Sequence, residues 1–361
     1  MKVRCRHLLK IFTYNLLKSS ANFSSYLNLI GCENLESLPS DICKLKYLTN
    51  LCCSKCTKLK FFPEIKEDME RLRELHLDRT SIQELPSSVK HLKGLEYLNL
   101  KGCDSLLSLP DSICNLRSLK TLNIDFCWEL KKLPENLKSL QCLEKFYAQC
   151  VNCQLPFLSG LCSLRELVVS DPNLRQGAIL SDISCLHSLQ RLKLSHCNLV
   201  EGEIPTEKFY AQRVNCQLPS LSGLCSLREL DVSHSNLRQG AILSGISCLY
   251  SLQRLNLSYC NLVEGEIPTE ICHLSMLKAL DLSGNHFSSL PAGISQLSEL
   301  RVFRLRHCKM LQEIPELPSS LRDIDAHDCA CLKTLSSSAS LPWKRQLWCS
   351  LFNCFKSEVQ V

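Results

Sequence analysis

The chain holds 361 residues, 45% hydrophobic and 22% charged, which is enough apolar material for a sizeable core and excludes wholesale disorder. Its net charge of +6, from 42 Lys and Arg against 36 Asp and Glu, is too dilute to point to nucleic acid. The 25 cysteines leave disulfides, zinc and reduced thiols all open until their positions are read.

The first 22 residues are basic, and their apolar run is broken by Lys10 and Lys18. This does not read as a signal peptide, and we expect a leader or truncated junction there. No charge-free apolar stretch approaches the length of a membrane span. From about residue 23 a pattern LxxLxLxxC recurs, followed by an LP-type step and an IxxL segment. The units start at Ser24, Leu48, Leu72, Leu95, Leu119, Leu143, Leu164, Leu189, Thr206, Leu227, Leu252, Leu277, Leu300 and Leu321. This period matches that of leucine-rich repeats. It predicts a solenoid of about 14 units over 23–336 and a post-repeat tail over 337–361, the truncated start of a C-terminal domain.

The fourth and sixth positions of a unit, such as Leu75 with Leu77 or Leu98 with Leu100, alternate with polar neighbours as one face of a strand does. One unit has nothing to bury them against, so units must stack. The predicted fold is an α/β repeat solenoid, a horseshoe with a parallel β-sheet on its concave face. Its convex face should carry turns, 3₁₀ pieces or short helices. Eleven of the 14 prolines sit in the LP-type step, where a residue without an N–H ends a ladder. Eight cysteines (Cys32, Cys56, Cys103, Cys127, Cys197, Cys260, Cys308 and Cys329) take the ninth position, with Thr80 and Asn285 in the same slot elsewhere. This slot wants a small inward residue that bonds nearby backbone. Eight more lie near the convex segment. So many buried thiols suit a reducing compartment. Cys5, Cys349 and Cys354 are among the nine left without a role.

Residues 147–207 and 210–270 are tandem copies that differ at nine of 61 positions. Five differing pairs fall on outward strand positions: Cys150/Arg213, Val168/Asp231, Asp171/His234, Lys193/Asn256 and His196/Tyr259. This suggests that the concave face changes its contact chemistry while the leucine framework is held. At the junction, the unit from Leu189 runs only 17 residues before Thr206, a shortening expected to strain the stack.

The cysteine-slot repeats with LP steps, as in LNLKGCDSLLSLPDSICNLRSL (98–119), resemble the leucine-rich repeat region of plant intracellular immune receptors. The class in question carries a TIR domain and a nucleotide-binding domain upstream. The stretch 316–338 resembles the terminal repeat of that class, and 341–358 the segment that follows. The resemblance implies a cytoplasmic or nuclear recognition module that senses a pathogen effector directly or through a guarded host protein. It also implies that the module holds the nucleotide-binding module inactive. No cofactor is expected in this chain, since that family's ADP/ATP site would lie upstream and no GxxxxGK[ST] loop occurs here. A rival resemblance, carried by NLVEGEIPTEI (261–271) and LDLSGNHFSSLP (280–291), is to plant extracellular receptors. A third reading is a substrate adaptor for ubiquitin ligation, for which the first 22 residues are too short to form a helical box.

The candidate partner-binding residues are those on outward strand positions. One group is Arg73, Glu74, His76, Asp78, Arg79, Tyr97 and Lys101. A second follows the copies: Val168, Asp171, Lys193, His196, Asp231, His234, Asn256 and Tyr259. A third, Arg301, Arg304, Arg306, His307 and Arg322, reads as a basic patch for an acidic surface. The partners expected are proteins, with no nucleic acid and no membrane span. Cys53-x-x-Cys56, Cys150-x-x-Cys153 and His327-x-Cys329-x-Cys331 have metal-like spacing but no matching second pair, so no metal site and no enzyme are expected.

Overall fold

A computed structural model describes residues 25–151, 153, 156, 158–170, 183–194, 221, 223–235, 237, 245–335 and 348–354. The chain divides into two compact units, Met1–Asp171 and Pro172–Val361.

The first unit is a ladder of seven parallel strands in chain order. They are β1 (Tyr26–Asn28), β2 (Asn50–Cys52), β3 (Glu74–His76), β4 (Tyr97–Asn99), β5 (Thr121–Asn123), β6 (Lys145–Gln149) and β7 (Glu166–Ser170). Pairing joins equivalent positions of successive repeats, as in Leu75↔Leu98 and Leu98↔Leu122. Leu75, Leu77, Leu98, Leu100 and Leu122 are fully buried, each contributing roughly 1.5–3 kcal/mol. A second, narrower ladder follows the first. Ser37, Phe61, Glu84, Ser108 and Lys132 form successive parallel bridges, each two residues before the proline of its unit. The proline has no N–H to give and ends the pairing there. The prolines then lead into 3₁₀ turns such as Ser40–Lys44, Ser87–His91 and Asp111–Asn115, whose isoleucine or valine closes the core.

The second unit repeats the plan with β8 (Arg191–Leu194), β9 (Glu229–Asp231), β10 (Arg254–Asn256), β11 (Ala279–Asp281) and β12 (Val302–Arg304). After β13 (Glu313–Ile314) come β14 (Asp323–Asp325), β15 (Thr334–Leu335) and β16 (Trp348–Ser350); β13 pairs with β15 in a separate narrow ladder.

Two features depart from the simple count of units. First, β8 pairs directly with β9, Leu192 against Leu230, while the unit start placed at Thr206 lies outside the described residues. Second, the ladder continues past residue 336, with Cys349 of β16 paired to Ile324 of β14. Cys354, nine residues into that additional unit, donates its thiol to Ala326 O at 2.6 Å. Cys349 and Cys354 therefore occupy the fourth and ninth positions of a further repeat.

The ninth-position slot works as a hydrogen-bonding rung. Cys56, Cys103, Cys127, Cys260, Cys308 and Cys329 each donate the thiol to a carbonyl of the preceding unit at 3.0–3.4 Å. Thr80 and Ser235 donate hydroxyls in the same slot, to Leu77 O at 2.8 Å and Leu194 O at 2.9 Å. Asn285 does more. Its amide donates to Leu257 O and Leu282 O, while its Oδ1 accepts the N–H groups of Cys260 and Leu262. Burial pushes the Cys103 and Cys127 thiols upward, so they stay protonated and able to donate. All 22 cysteines among the described residues are thiols.

Candidate recognition surface

The residues available to a partner are set by the strand register. Side chains at positions three and five of each unit form columns across the outward sheet face. Position eight, just beyond the strand, forms a rim. In all twelve units whose eighth residue is described, that residue has φ between 53° and 69°. Three are glycine (Gly31, Gly102 and Gly284), while nine are larger residues, among them Arg79, His234, Tyr259 and His307. The left-handed backbone costs a non-glycine residue roughly 1–2 kcal/mol. In eleven of the twelve it is held because the N–H bonds a carbonyl of the next unit, as Arg79 N does Lys101 O at 2.8 Å and Tyr259 N does Ser283 O at 2.7 Å.

Position five has a second duty that the sequence pattern did not announce. Asn28, Asn99, Asn123, Asp231, Asn256 and Asp281 each accept the backbone N–H two residues on, at 3.0–3.1 Å. These Asx turns bend the chain out of the strand toward the left-handed residue. The recurring Asn or Asp in the middle of LxL was the available signal. Asp231 and Asn256, named above for partner contact, are therefore part of the turn as well.

In the first unit the structure brings one whole group together on β3, β4 and the turns after them. Arg73 donates to Gly94 O at 2.8 Å and stands 3.7 Å from Glu96. His76 lies 3.1 Å from Glu74, and its ring packs 5.0 Å from that of Tyr97. Asp78 accepts Ser54 Oγ at 2.6 Å and Asn99 Nδ2 at 3.1 Å. The Arg79 side chain lies over Gly102, and Lys101 sits 5.2 Å above the Phe126 ring, 4.0 Å from Asp125. Val168 departs from expectation: at 6% exposure it is buried on β7 and offers little to a partner. Asp171 and His196 lie outside the described residues.

In the second unit Lys193 and Asp231 face each other across β8 and β9 at 3.5 Å. The His234 and Tyr259 rings stack at 4.7 Å with 7° between planes, and the Tyr259 ring covers the Cα of Gly284. An open recess of about 440 Å³ beside them is lined by Tyr259, Asn261, Gly284, His286, His307 and Lys309. The arginine group is not the unopposed basic patch that the sequence suggested. Arg301 pairs with Glu299 at 3.5 Å, Arg304 with Asp281 at 3.9 Å and Arg306 with Asp325 at 2.6 Å. Alternating positions five and seven place a carboxylate opposite each of the last two, because the register sets neighbouring units side by side. Exposed Arg322 forms no ion pair among the described residues.

Of the metal-like cysteine spacings, Cys53-x-x-Cys56 lies in the core, while Cys150 and Cys331 of the other two are half-buried. Cys53 and Cys56 are fully buried, and Cys56 spends its proton on Leu29 O, as a thiol and not a thiolate ligand does. Among the described residues no helix is long and apolar enough to cross a membrane.

A family profile described as leucine-rich repeat region matches residues 64–213 and 207–341. Disease resistance-like protein DSC1 of Arabidopsis thaliana is 30% identical over 91% of this chain and 16% of its own length. TMV resistance protein N of Nicotiana glutinosa is 31% identical over 84% of this chain and 15% of its own. The chain thus spans about a sixth of the length of these relatives. Two solved structures share the fold. The PEPR1–AtPEP1 complex aligns with TM-score 0.58 and 19% identity over 88% of this chain and 47% of that one. The functional domain of InlJ from Listeria monocytogenes, described as including a cysteine ladder, aligns at 0.52 and 17% identity over 91% and 65%. By profile match, repeat register and similarity to plant disease resistance proteins, the chain belongs to the leucine-rich repeat family.

Proposed function

We propose that this chain is the protein-recognition region of a plant intracellular immune receptor, cytoplasmic or nuclear. It senses a pathogen effector directly or through a guarded host protein and holds the receptor's nucleotide-binding module inactive. The observation that carries this reading is similarity to plant disease resistance proteins along 91% of the chain. The protonated, buried thiol rungs agree with a reducing compartment. On this reading the chain binds and does not catalyse, and ADP or ATP belongs to a module elsewhere in such a receptor.

The recognition chemistry offered is aromatic and histidine-rich. Tyr259 and His234 are presented on a rigid rim beside an open recess, the kind of anchor that dominates protein interfaces. The test is co-immunoprecipitation from leaf tissue expressing the chain with candidate effectors or with the nucleotide-binding module. Capture should fall at least tenfold with His234→Ala and Tyr259→Ala, and should persist with Lys90→Ala on a 3₁₀ turn away from the sheet face. Equal loss or equal retention across the three variants overturns the assignment of the rim.

A further inference from the structure

Beside the recess, three side chains converge in a way that partner recognition does not require. His307 and Asp328 occupy the left-handed eighth position of successive units, and His327 the seventh. One ligating atom from each lies within 4.8 Å of the others. His307 Nδ1 stands 3.1 Å and His327 Nε2 3.8 Å from the same Asp328 oxygen. Zinc held tetrahedrally by nitrogen and oxygen at about 2.0–2.1 Å sets its ligand atoms about 3.4 Å apart. The two distances to Asp328 bracket that value. The third edge, between the two imidazole nitrogens, is within 4.8 Å, and the rings pack edge to face with centroids 4.9 Å apart.

The surroundings are those that orient ligands. His327 presents its other nitrogen, Nδ1, to Asp325 Oδ1 at 2.8 Å, which leaves the lone pair on Nε2 for a cation. Asp325 is itself gripped by Arg306 at 2.6 Å. The second oxygen of Asp328 accepts Asn353 Nδ2 at 3.0 Å. The backbone beneath is tied as well: His307 N bonds His327 O, and Asp328 N bonds Phe352 O, both at 2.9 Å. His307 also lines the recess, so a fourth coordination position opens to solvent.

We propose that His307, His327 and Asp328 bind one zinc ion, with Asp325 and Asn353 holding the ligands in place. The ion would clamp the last repeats of the described chain together and leave one position for water or a partner's side chain. Two histidines and one carboxylate suit zinc and cobalt better than the oxygen-preferring magnesium or calcium.

The experiment uses the full chain, reduced with a phosphine, with cobalt(II) as the probe and zinc as competitor. One equivalent should produce d–d bands of a nitrogen/oxygen site without a thiolate-to-metal charge-transfer band, and one equivalent of zinc should abolish them. His327→Gln and His307→Asn should each remove the bands; asparagine tolerates the left-handed backbone, so the second variant keeps its fold. Asp325→Asn should weaken binding 10–100-fold. Absence of the bands in the wild type, their survival in both histidine variants, or a charge-transfer band showing cysteine ligation overturns the proposal.

Discussion

Lys193 Nζ stands 3.5 Å from Asp231 Oδ2, although 38 residues separate them and a copy of an earlier strand-forming sequence lies between. The pair exists because β8 takes β9 as its neighbour, with Lys193 and Asp231 in register. Both belong to the duplicated region, where Val168 aligns with Asp231 and Lys193 with Asn256. Two of the residues that diverged between the copies therefore complement each other across the new junction. This is a reason for divergence that needs no outside partner.

Exchanging the charges tests that junction. Lys193→Asp should destabilise the chain by roughly 0.5–1 kcal/mol, since Asp231 is the less exposed partner, with 16% of its side chain exposed. Lys193→Asp with Asp231→Lys should restore most of the loss in a denaturant double-mutant cycle. A coupling energy near zero would mean that the Lys193–Asp231 pair does not stabilise the junction.

The ninth-position rungs should differ in worth according to how many backbone groups they satisfy. Asn285→Ala orphans the Cys260 and Leu262 N–H groups, takes a donor from Leu257 O and leaves Leu282 O with only the Cys308 thiol, and should cost roughly 2–4 kcal/mol. Cys127→Ala removes one weak donor, to Leu100 O, and should cost about 1–2 kcal/mol. Urea unfolding of both variants gives the comparison, and equal losses would remove the ranking.

Glycine at position eight is not equivalent from unit to unit. At Gly284 (φ +69°) a Cβ would lie 2.3 Å from the Tyr259 ring, whereas at Gly31, with the same φ, nothing lies within 4 Å. Gly31→Ala should cost about 1 kcal/mol from the backbone alone, and Gly284→Ala about 2 kcal/mol or more. Tyr259→Ala in the Gly284→Ala background should recover the difference, read as thermal midpoints.

Glu264 sets an acid limit. Hydrogen bonds from the Ser288 and Ser289 hydroxyls, joined by their N–H groups at 2.9 and 3.1 Å, hold its carboxyl at about 2. The ordinary value is about 4.3. Because the folded value is depressed, the stabilisation is complete above about pH 4.3 and is lost as pH falls through about 2. A carboxyl NMR titration should place Glu264 near 2. Ser288→Ala with Ser289→Ala should return it toward 4, and an unchanged titration would show that the serines do not hold it.

Much of this was legible because the repeat is a local code. The leucine spacing, the proline step and the cysteine slot each have one physical use, and the structure uses them so. The additional unit at β16 was less visible. Its spacing, with Cys349 and Cys354 at positions four and nine, follows the pattern, but cysteine and leucine alternate there in place of paired leucines. The charge balance of the arginine group was not legible at all. Asp281, Asp325 and Arg304 are ordinary outward residues in one dimension, and only the register sets them face to face.

The sequence by itself determined the period, the parallel ladder and the inward leucine columns, because each follows from side-chain alternation and the need of one unit for a neighbour. Tertiary structure decided which units become neighbours. The pentapeptide KFYAQ forms strand β6 at 145–149; its identical copy at 208–212 lies outside the described residues, and β8 takes β9 as its neighbour. The first copy is preceded by a full return segment that carries the chain back into register. The second follows a unit shortened to 17 residues. Strand pairing is a contact between distant residues, and the length of chain that returns to the sheet governs it as much as the strand's own sequence.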